Sequence, residues 1–175
     1  NKIGLSLENK VPLLSELFKD LSNLKLFCFG IINKYKCFLS NNLSSLDLNF
    51  VDIRTGCLLL TQEYQQSAAL GYHIYKWRND NQYCGKCASP MHDSIEERAR
   101  FCINCNHIVY PRISPCIIVL VTKGEKMLLA RSPHFPAKML STLAGFIDPG
   151  ETAENAVMRE IKEEVGIEVD CLEYI

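Results

Sequence analysis

Two pairs of cysteines, Cys84-Gly85-Lys86-Cys87 and Cys102-Ile103-Asn104-Cys105, constrain this chain more than any other feature. Two residues between thiolates let both sulfurs of a tight knuckle face one point. Two such knuckles complete a tetrahedron around Zn²⁺, with sulfur at about 2.3 Å. The spacer, residues 88–101, is one residue shorter than the usual range, a small departure for a hairpin connection. The alternative is four unrelated buried thiols, but two such pairs in one chain favour a metal site. Protein would fill all four positions and leave none open to water, so the expected zinc is structural.

A zinc ribbon can also be a nucleic-acid-binding module, which supplies a rival function. The spacer carries Arg98 and Arg100, yet Asp93, Glu96 and Glu97 cancel them. The whole chain has 19 Lys+Arg against 20 Asp+Glu, a formal charge of −1. A broad basic face for phosphate contacts is therefore absent from the sequence, and a polyanionic tail equally so. The other five cysteines, Cys28, Cys37, Cys57, Cys116 and Cys171, lie mostly in apolar stretches and are expected to behave as small buried hydrophobes. An odd total of 9 argues against a disulfide framework and for a reducing compartment, the cytoplasm. No apolar run approaches the roughly 18 residues of a membrane span. The first residue is Asn1 rather than Met, which suggests that the 175 residues are part of a longer gene product.

Along the chain, residues 1–80 read as a small α+β domain, 81–110 as the ribbon and 111–175 as a third segment. Lys25–Ile32 and Tyr35–Leu39 suit a hairpin turned at Asn33-Lys34. Asn41–Ser45 reads as a polar loop and Leu46–Arg54 as a strand. Tyr64, Ala68, Ala69, Tyr72, Ile74 and Tyr75 have helical spacing, predicting a helix over 61–77. After the ribbon, Cys116–Thr122 and Lys126–Ala130 read as strands around Lys123-Gly124-Glu125. Ser132–Lys138, with two prolines, reads as a loop, and Leu143–Ile147 as a short strand. Asp148-Pro149-Gly150 is turn chemistry. Thr152–Val165 predicts an amphipathic helix ended by Gly166, and Ile167–Ile175 a further strand.

The last helix carries the chemistry. Glu160, Glu163 and Glu164 stand at i, i+3 and i+4, so their carboxylates share one side. At 100° per residue, Glu164 projects only about 20° from Val157, at the edge of the stripe Val157, Ile161, Val165. Like charges so placed cost roughly 0.2–0.5 kcal/mol per pair, a penalty that a hard divalent cation reverses. Oxygen-only ligands suit Mg²⁺ or Mn²⁺, which also bind substrate phosphates. Gly145 and Gly150 would let the backbone turn tightly ahead of the helix. Arg159 can pair with Glu151 across that loop. A merely solvated face would have the same local composition. The full spacing G-x5-E-x7-R-E-U-x-E-E-x-G-U, with U aliphatic, is met at every constrained position from Gly145 to Ile167.

This stretch resembles the signature box of the Nudix hydrolases, which hydrolyse nucleoside diphosphates linked to another moiety. With the ribbon before it, Tyr110-Pro111-Arg112-Ile113-Ser114-Pro115 and Leu143-Ala144-Gly145-Phe146 resemble the NADH pyrophosphatase branch. The match is close from Tyr83 to Ile167. Before residue 80 it rests on Phe50-Val51-Asp52-Ile53-Arg54 and a helix ahead of the ribbon. The resemblance implies cleavage of NAD(H) to AMP and nicotinamide mononucleotide, and removal of NAD caps from RNA 5′ ends. It implies that Glu160, Glu163 and Glu164, helped by the backbone carbonyl of Ala144, hold the catalytic Mg²⁺ or Mn²⁺. It further implies substrate contacts at Tyr110, Glu97 and Arg54, structural roles for Gly145, Glu151, Arg159 and Gly166, and a homodimer. By spacing alone, Tyr110 is a packing residue and Glu97 a surface acid. The attacking water would lose its proton to a carboxylate of this cluster or to another beyond residue 175.

The expected fold class is α+β: an N-terminal α+β domain, a zinc ribbon, and the first half of a Nudix α/β/α sandwich. The branch carries an S-Q-P-W-P-F-P segment after the strand at 167–175, then a further metal-binding glutamate, and neither lies in these residues. Another nucleoside diphosphate derivative therefore stays open as substrate. The 175 residues alone are expected to show little or no activity.

Overall fold

The computed structural model describes residues 2–6, 10–12, 25–32, 34–40 and 48–175. They fall into two compact units, Asn1–Arg112 and Ile113–Ile175. In the first, β1 (Lys2–Leu5) pairs antiparallel with β4 (Asn49–Asp52), Leu5 opposite Asn49. The hairpin of β2 (Phe27–Ile32) and β3 (Tyr35–Leu39) forms as the sequence predicts, with a bulge between Cys28 and Gly30. Its turn uses Lys34 at φ 71°, while Asn33 lies outside the described residues.

The strand expected to run to Arg54 stops at Asp52. The Asp52 carboxylate accepts a hydrogen bond from the Arg54 backbone N–H at 2.9 Å and starts α1 (Ile53–Leu59). A short acidic side chain that satisfies a first-turn N–H favours helix over continued extension. The expected loop at 41–45 and the strand start at 46–47 lie outside the described residues.

The predicted helix is present as α2 (Gln62–Asp80), but its inward face differs from the expected one. Ala68, Gly71, Ile74 and Trp77 are buried, whereas Tyr64, Ala69 and Tyr75 are exposed. Gly71 sets this face. A β-carbon there would lie 3.0 Å from the Phe29 ring, so its absence lets the helix lie close on β2.

The ribbon sheet comprises β5 (Met91–Asp93), β6 (Arg100–Cys102) and β7 (Ile108–Val109), in antiparallel order. Its buried side does not form a core by itself. Phe29 of β2, Ile74 and Trp77 of α2, and Cys84, Met91, Cys102 and Val109 of the ribbon make one buried cluster. The stretches 1–80 and 81–110 are thus joined in a single compact unit.

Polar contacts reinforce the joint. Arg98 Nη2 donates to the Phe29 carbonyl at 2.9 Å, and Arg100 Nη1 to the Arg78 carbonyl at 2.9 Å. Asp93 pairs with Arg78 at 2.8 Å, and Arg78 lies 3.6 Å above the Phe27 ring.

In the second unit, β8 (Cys116–Val119) pairs with β11 (Leu143–Phe146), and β9 (Val121–Lys123) with β10 (Lys126–Leu128). The single strand expected over 116–122 is therefore two, broken at Leu120 because each half pairs with a different partner. Helix α3 (Ala153–Val165) packs on β8 and β11. Thr152 caps it by accepting from the Asn155 N–H at 3.2 Å, and Gly166 ends it at φ 71°.

Residues 167–175 do not form the expected strand. Cys171 adopts φ 53°, incompatible with an extended chain, and two side-chain bonds tie the segment to α3 instead. Lys162 bonds Glu168, and the Tyr174 hydroxyl donates to Glu154, each at 2.8 Å. The five surplus cysteines also depart from expectation. Cys37 and Cys57 are half-buried against the two cores of the first unit, but Cys28, Cys116 and Cys171 are exposed. Their sequence neighbours are apolar, yet alternation along a strand turns Cys28 and Cys116 outward.

The shared core makes a testable claim. Trp77→Ala is expected to destabilise the first unit by about 3 kcal/mol in urea unfolding. It should also speed zinc loss to a chelator, whereas a self-sufficient ribbon would keep its zinc at the original rate.

Candidate functional site

The cysteine quartet forms the first centre. Cys84, Cys87, Cys102 and Cys105 place their sulfurs within 4.8 Å of one another. Sγ–Sγ separations are 3.5 Å for Cys84–Cys105, Cys87–Cys102 and Cys87–Cys105. A tetrahedron with 2.3 Å zinc–sulfur bonds has edges of about 3.8 Å, so the donor set fits Zn²⁺ closely.

The two knuckles repeat one geometry. Cys84 N–H donates to Ser89 O as Cys102 N–H does to His107 O, at 2.8 and 2.9 Å. Ala88 and Asn106 N–H donate back to Cys84 O and Cys102 O, both at 2.9 Å, and both residues adopt positive φ, 59° and 56°. Hydrogen bonds from the Asn104 side chain, then from Ser89, hold the Cys87 thiol down at about 5, favouring the thiolate that a metal needs.

The second centre is built around α3. Arg159 Nε and Nη2 grip the two Glu151 oxygens at 2.9 and 2.8 Å, a bidentate pair. Its Nη1 donates to Glu160 Oε1 at 2.9 Å and Glu163 Oε2 at 3.1 Å, and Nη2 also reaches the Phe146 carbonyl at 2.9 Å. Glu151 in turn accepts from the Asp148 N–H at 3.0 Å, closing the loop whose turn needs Gly150 at φ 86°. Arg159 and then the Asp148 N–H hold the Glu151 carboxyl down at about 2, and the same contacts raise Arg159 above its usual range.

Gly145 has a different role from the expected turn. It lies in β11 opposite Ile117, and any β-carbon there would overlap the Glu160 side chain. The missing side chain is a cradle for that carboxylate. The Glu160 side chain is accordingly 16% exposed and that of Glu163 60%, and Glu164 is exposed. All three are oxygen donors on one side of α3, a set that fits a hard divalent cation. Among the described residues, however, only the cysteine quartet gathers three or more ligand atoms within 4.8 Å. Two of the carboxylates turn toward Arg159 instead.

Ala144 is exposed on β11, on the side opposite to Gly145. Tyr110 and Glu97, both in the first unit, are brought together: the phenol donates to Glu97 Oε1 at 2.9 Å, a bond that raises the Tyr110 pKa. Arg54 sits apart in the first turn of α1. Phe146 received no role from the sequence beyond its place in a motif. Its carbonyl anchors Arg159, while its 64% exposed ring lines a shallow recess with Ile113, Pro115 and Pro149. Period-two alternation was the available signal, because Leu143 and Gly145 face α3 and Ala144 and Phe146 face away. Arg98 and Arg100, the bases that a nucleic-acid ribbon would need, spend their guanidinium groups on the carbonyls of Phe29, Arg78 and Met91.

Two outcomes follow. Cys102→Ser should reduce zinc from one ion per chain to none by native mass spectrometry and unfold the ribbon. For Glu151, the folded pKa is depressed, so its contribution to stability is complete above the unfolded value of about 4.3 and is lost as pH falls toward 2. Acid unfolding followed by circular dichroism should show a less steep loss across that window in Glu151→Gln than in the parent.

Comparison with known proteins gives two domain matches. Residues 79–110 match the NADH pyrophosphatase zinc ribbon domain and residues 111–175 the NUDIX domain. The NAD-capped RNA hydrolase NudC of Stutzerimonas stutzeri (strain A1501) is 49% identical over 108 residues, 61% of this chain and 39% of the relative. The protein of that name from Chromobacterium violaceum is 42% identical over 125 residues, 71% of this chain and 47% of the relative. The chain thus spans less than half the length of these curated relatives. It carries a NUDIX domain over residues 111–175, preceded by the zinc ribbon domain of the NADH pyrophosphatases over residues 79–110.

Proposed function

We propose that the protein carrying this chain hydrolyses the pyrophosphate bond of NAD(H), giving AMP and nicotinamide mononucleotide, and removes NAD caps from RNA. The observation that carries the reading is the Glu160 carboxylate cradled on Gly145, with Arg159 holding it beside Glu163. That arrangement costs the chain a side chain at 145 and concentrates negative charge on one side of α3. A structural surface helix gains nothing from either. The substrate assignment draws on relatives named as NAD-capped RNA hydrolases.

In this reading Glu160, Glu163 and Glu164, with the Ala144 carbonyl, hold Mg²⁺ or Mn²⁺. A divalent cation bound there supplies charge neutralisation for the pyrophosphate and lowers the pKa of water. The chain's own groups do the positioning. Arg159 fixes Glu160 from below and ties α3 to the Asp148–Glu151 loop through Glu151, so the carboxylates are preorganised before substrate arrives. The exposed Phe146 ring offers a flat apolar surface on which a planar base can stack. Tyr110 and Glu97 supply a hydroxyl and an acceptor already joined to each other, and Arg54 a further cation, for substrate contact. Zinc in the ribbon is structural.

The set of free cysteines supports a reducing compartment, and the cytoplasm is the proposed location. No helix among the described residues is long and apolar enough to cross a membrane. A homodimer is the proposed assembly.

NADH incubated with the protein carrying this chain and either Mg²⁺ or Mn²⁺ should yield AMP and nicotinamide mononucleotide by liquid chromatography. No AMP with either metal would overturn the substrate assignment. Glu164→Gln should lower turnover about a hundredfold while leaving zinc content and the circular dichroism spectrum unchanged.

A further inference from the structure

Charge is segregated within the second unit. From Asp148 to Ile175 the sequence holds nine acidic residues and only Arg159 and Lys162 as bases. Between Lys126 and Ile147 the balance reverses: Lys126, Arg131 and Lys138, with His134, and no acid. Two of these cations occupy one loop. Ala130 and Ser141 exchange backbone hydrogen bonds of 2.8 and 2.9 Å that close its base.

Inside, Phe135 N–H donates to Ser132 O at 3.0 Å and Met139 N–H to Pro136 O at 3.1 Å, giving two successive turns. Arg131 Nη2 reaches the Phe135 carbonyl at 3.2 Å, so the guanidinium is held over the loop. The loop is an ordered presentation of charge rather than a slack connection.

Lys138 breaks a local rule. It adopts φ 67° at the third position of the second turn, where glycine would be free of strain. A side chain with a β-carbon is strained there. Lys138 is exposed, and solvent exposure leaves its ammonium with no packing role.

The position of the loop indicates the partner. Ser141 closes the loop, and β11 begins two residues later and runs to Gly145, the cradle of Glu160. At about 3.3 Å per residue, Ser141 lies roughly 13 Å along the strand from that carboxylate. This is the span of two nucleotides in an extended single strand.

We propose that the loop Arg131–Ser141 binds the phosphodiester backbone of a single-stranded RNA whose 5′ end lies at the carboxylates of α3, with Arg131 and Lys138 as the phosphate contacts. The assignment rests on the pyrophosphatase reading for the position of the 5′ end. It adds a site that acts on capped RNA and not on the free dinucleotide. Acids on α3 repel such a chain and the loop attracts it, which fixes the direction in which the RNA leaves.

The test uses the protein carrying this chain and two variants, Lys138→Gly, which keeps the backbone geometry, and Arg131→Gln. Activity is measured on NADH and on a 20-nucleotide NAD-capped RNA. Separately, fluorescence anisotropy follows binding of a 20-nucleotide single-stranded RNA with a 5′ monophosphate across a salt series. Combining the two substitutions should lower kcat/KM on capped RNA roughly tenfold and leave NADH hydrolysis within twofold. The slope of log affinity against log salt should fall by about 1.4.

Equal losses on both substrates, or an unchanged salt slope, would overturn the RNA contact. A parent protein that cleaves neither substrate but shows the slope change would overturn the pyrophosphatase reading and leave the RNA contact standing.

Discussion

One guanidinium holds the second unit of this chain together. Arg159 makes five hydrogen bonds, to both oxygens of Glu151, to Glu160, to Glu163 and to the Phe146 carbonyl. Through them it joins the three parts that must agree: the loop before α3, the carboxylate side of α3, and the strand β11. Arginine alone among side chains has a rigid planar fork with enough donors for this, and a lysine would keep the charge but lose the bidentate grip. The charge also matters. Six carboxylates, from Asp148 to Glu164, lie on one helix and its entry loop, and Arg159 offsets part of their repulsion.

The first unit depends on a different economy. Its ribbon strands have only two or three residues each, too few to bury a core. Helix α2 supplies the missing apolar surface through Ile74 and Trp77, and β2 adds Phe29. The arginines of the ribbon then serve the joint. Arg98 Nη2 and both Nη atoms of Arg100 bond carbonyls on neighbouring elements, which commits them to internal structure. The rival reading of the ribbon as a nucleic-acid module loses its bases to internal structure.

Local chemistry was legible in the sequence and pairing was not. The knuckles could be read because each is closed by contacts within six residues, and α3 because Thr152 and Gly166 mark its ends. The carboxylate positions followed from helical geometry alone. By contrast, the strand expected at 167–175 failed because extension needs a partner, and side chains of α3 offered better bonds to Glu168 and Tyr174. The inward face of α2 was misjudged because a glycine, not an aromatic, makes its closest approach. Gly145 was assigned to a turn for a similar reason: a missing β-carbon leaves no mark of what occupies the space. Only the position of Glu160 shows it.

The shared core of the first unit ties the fate of α2 to that of the ribbon. Without a metal the two knuckles lose the ion that would join them, and the ribbon's inner side would lose its shape. Because that side is also the wall against which Ile74 and Trp77 pack, the helix would be uncovered together with it. Metal loss at the ribbon would thereby register as unfolding of the first unit, not of the ribbon alone.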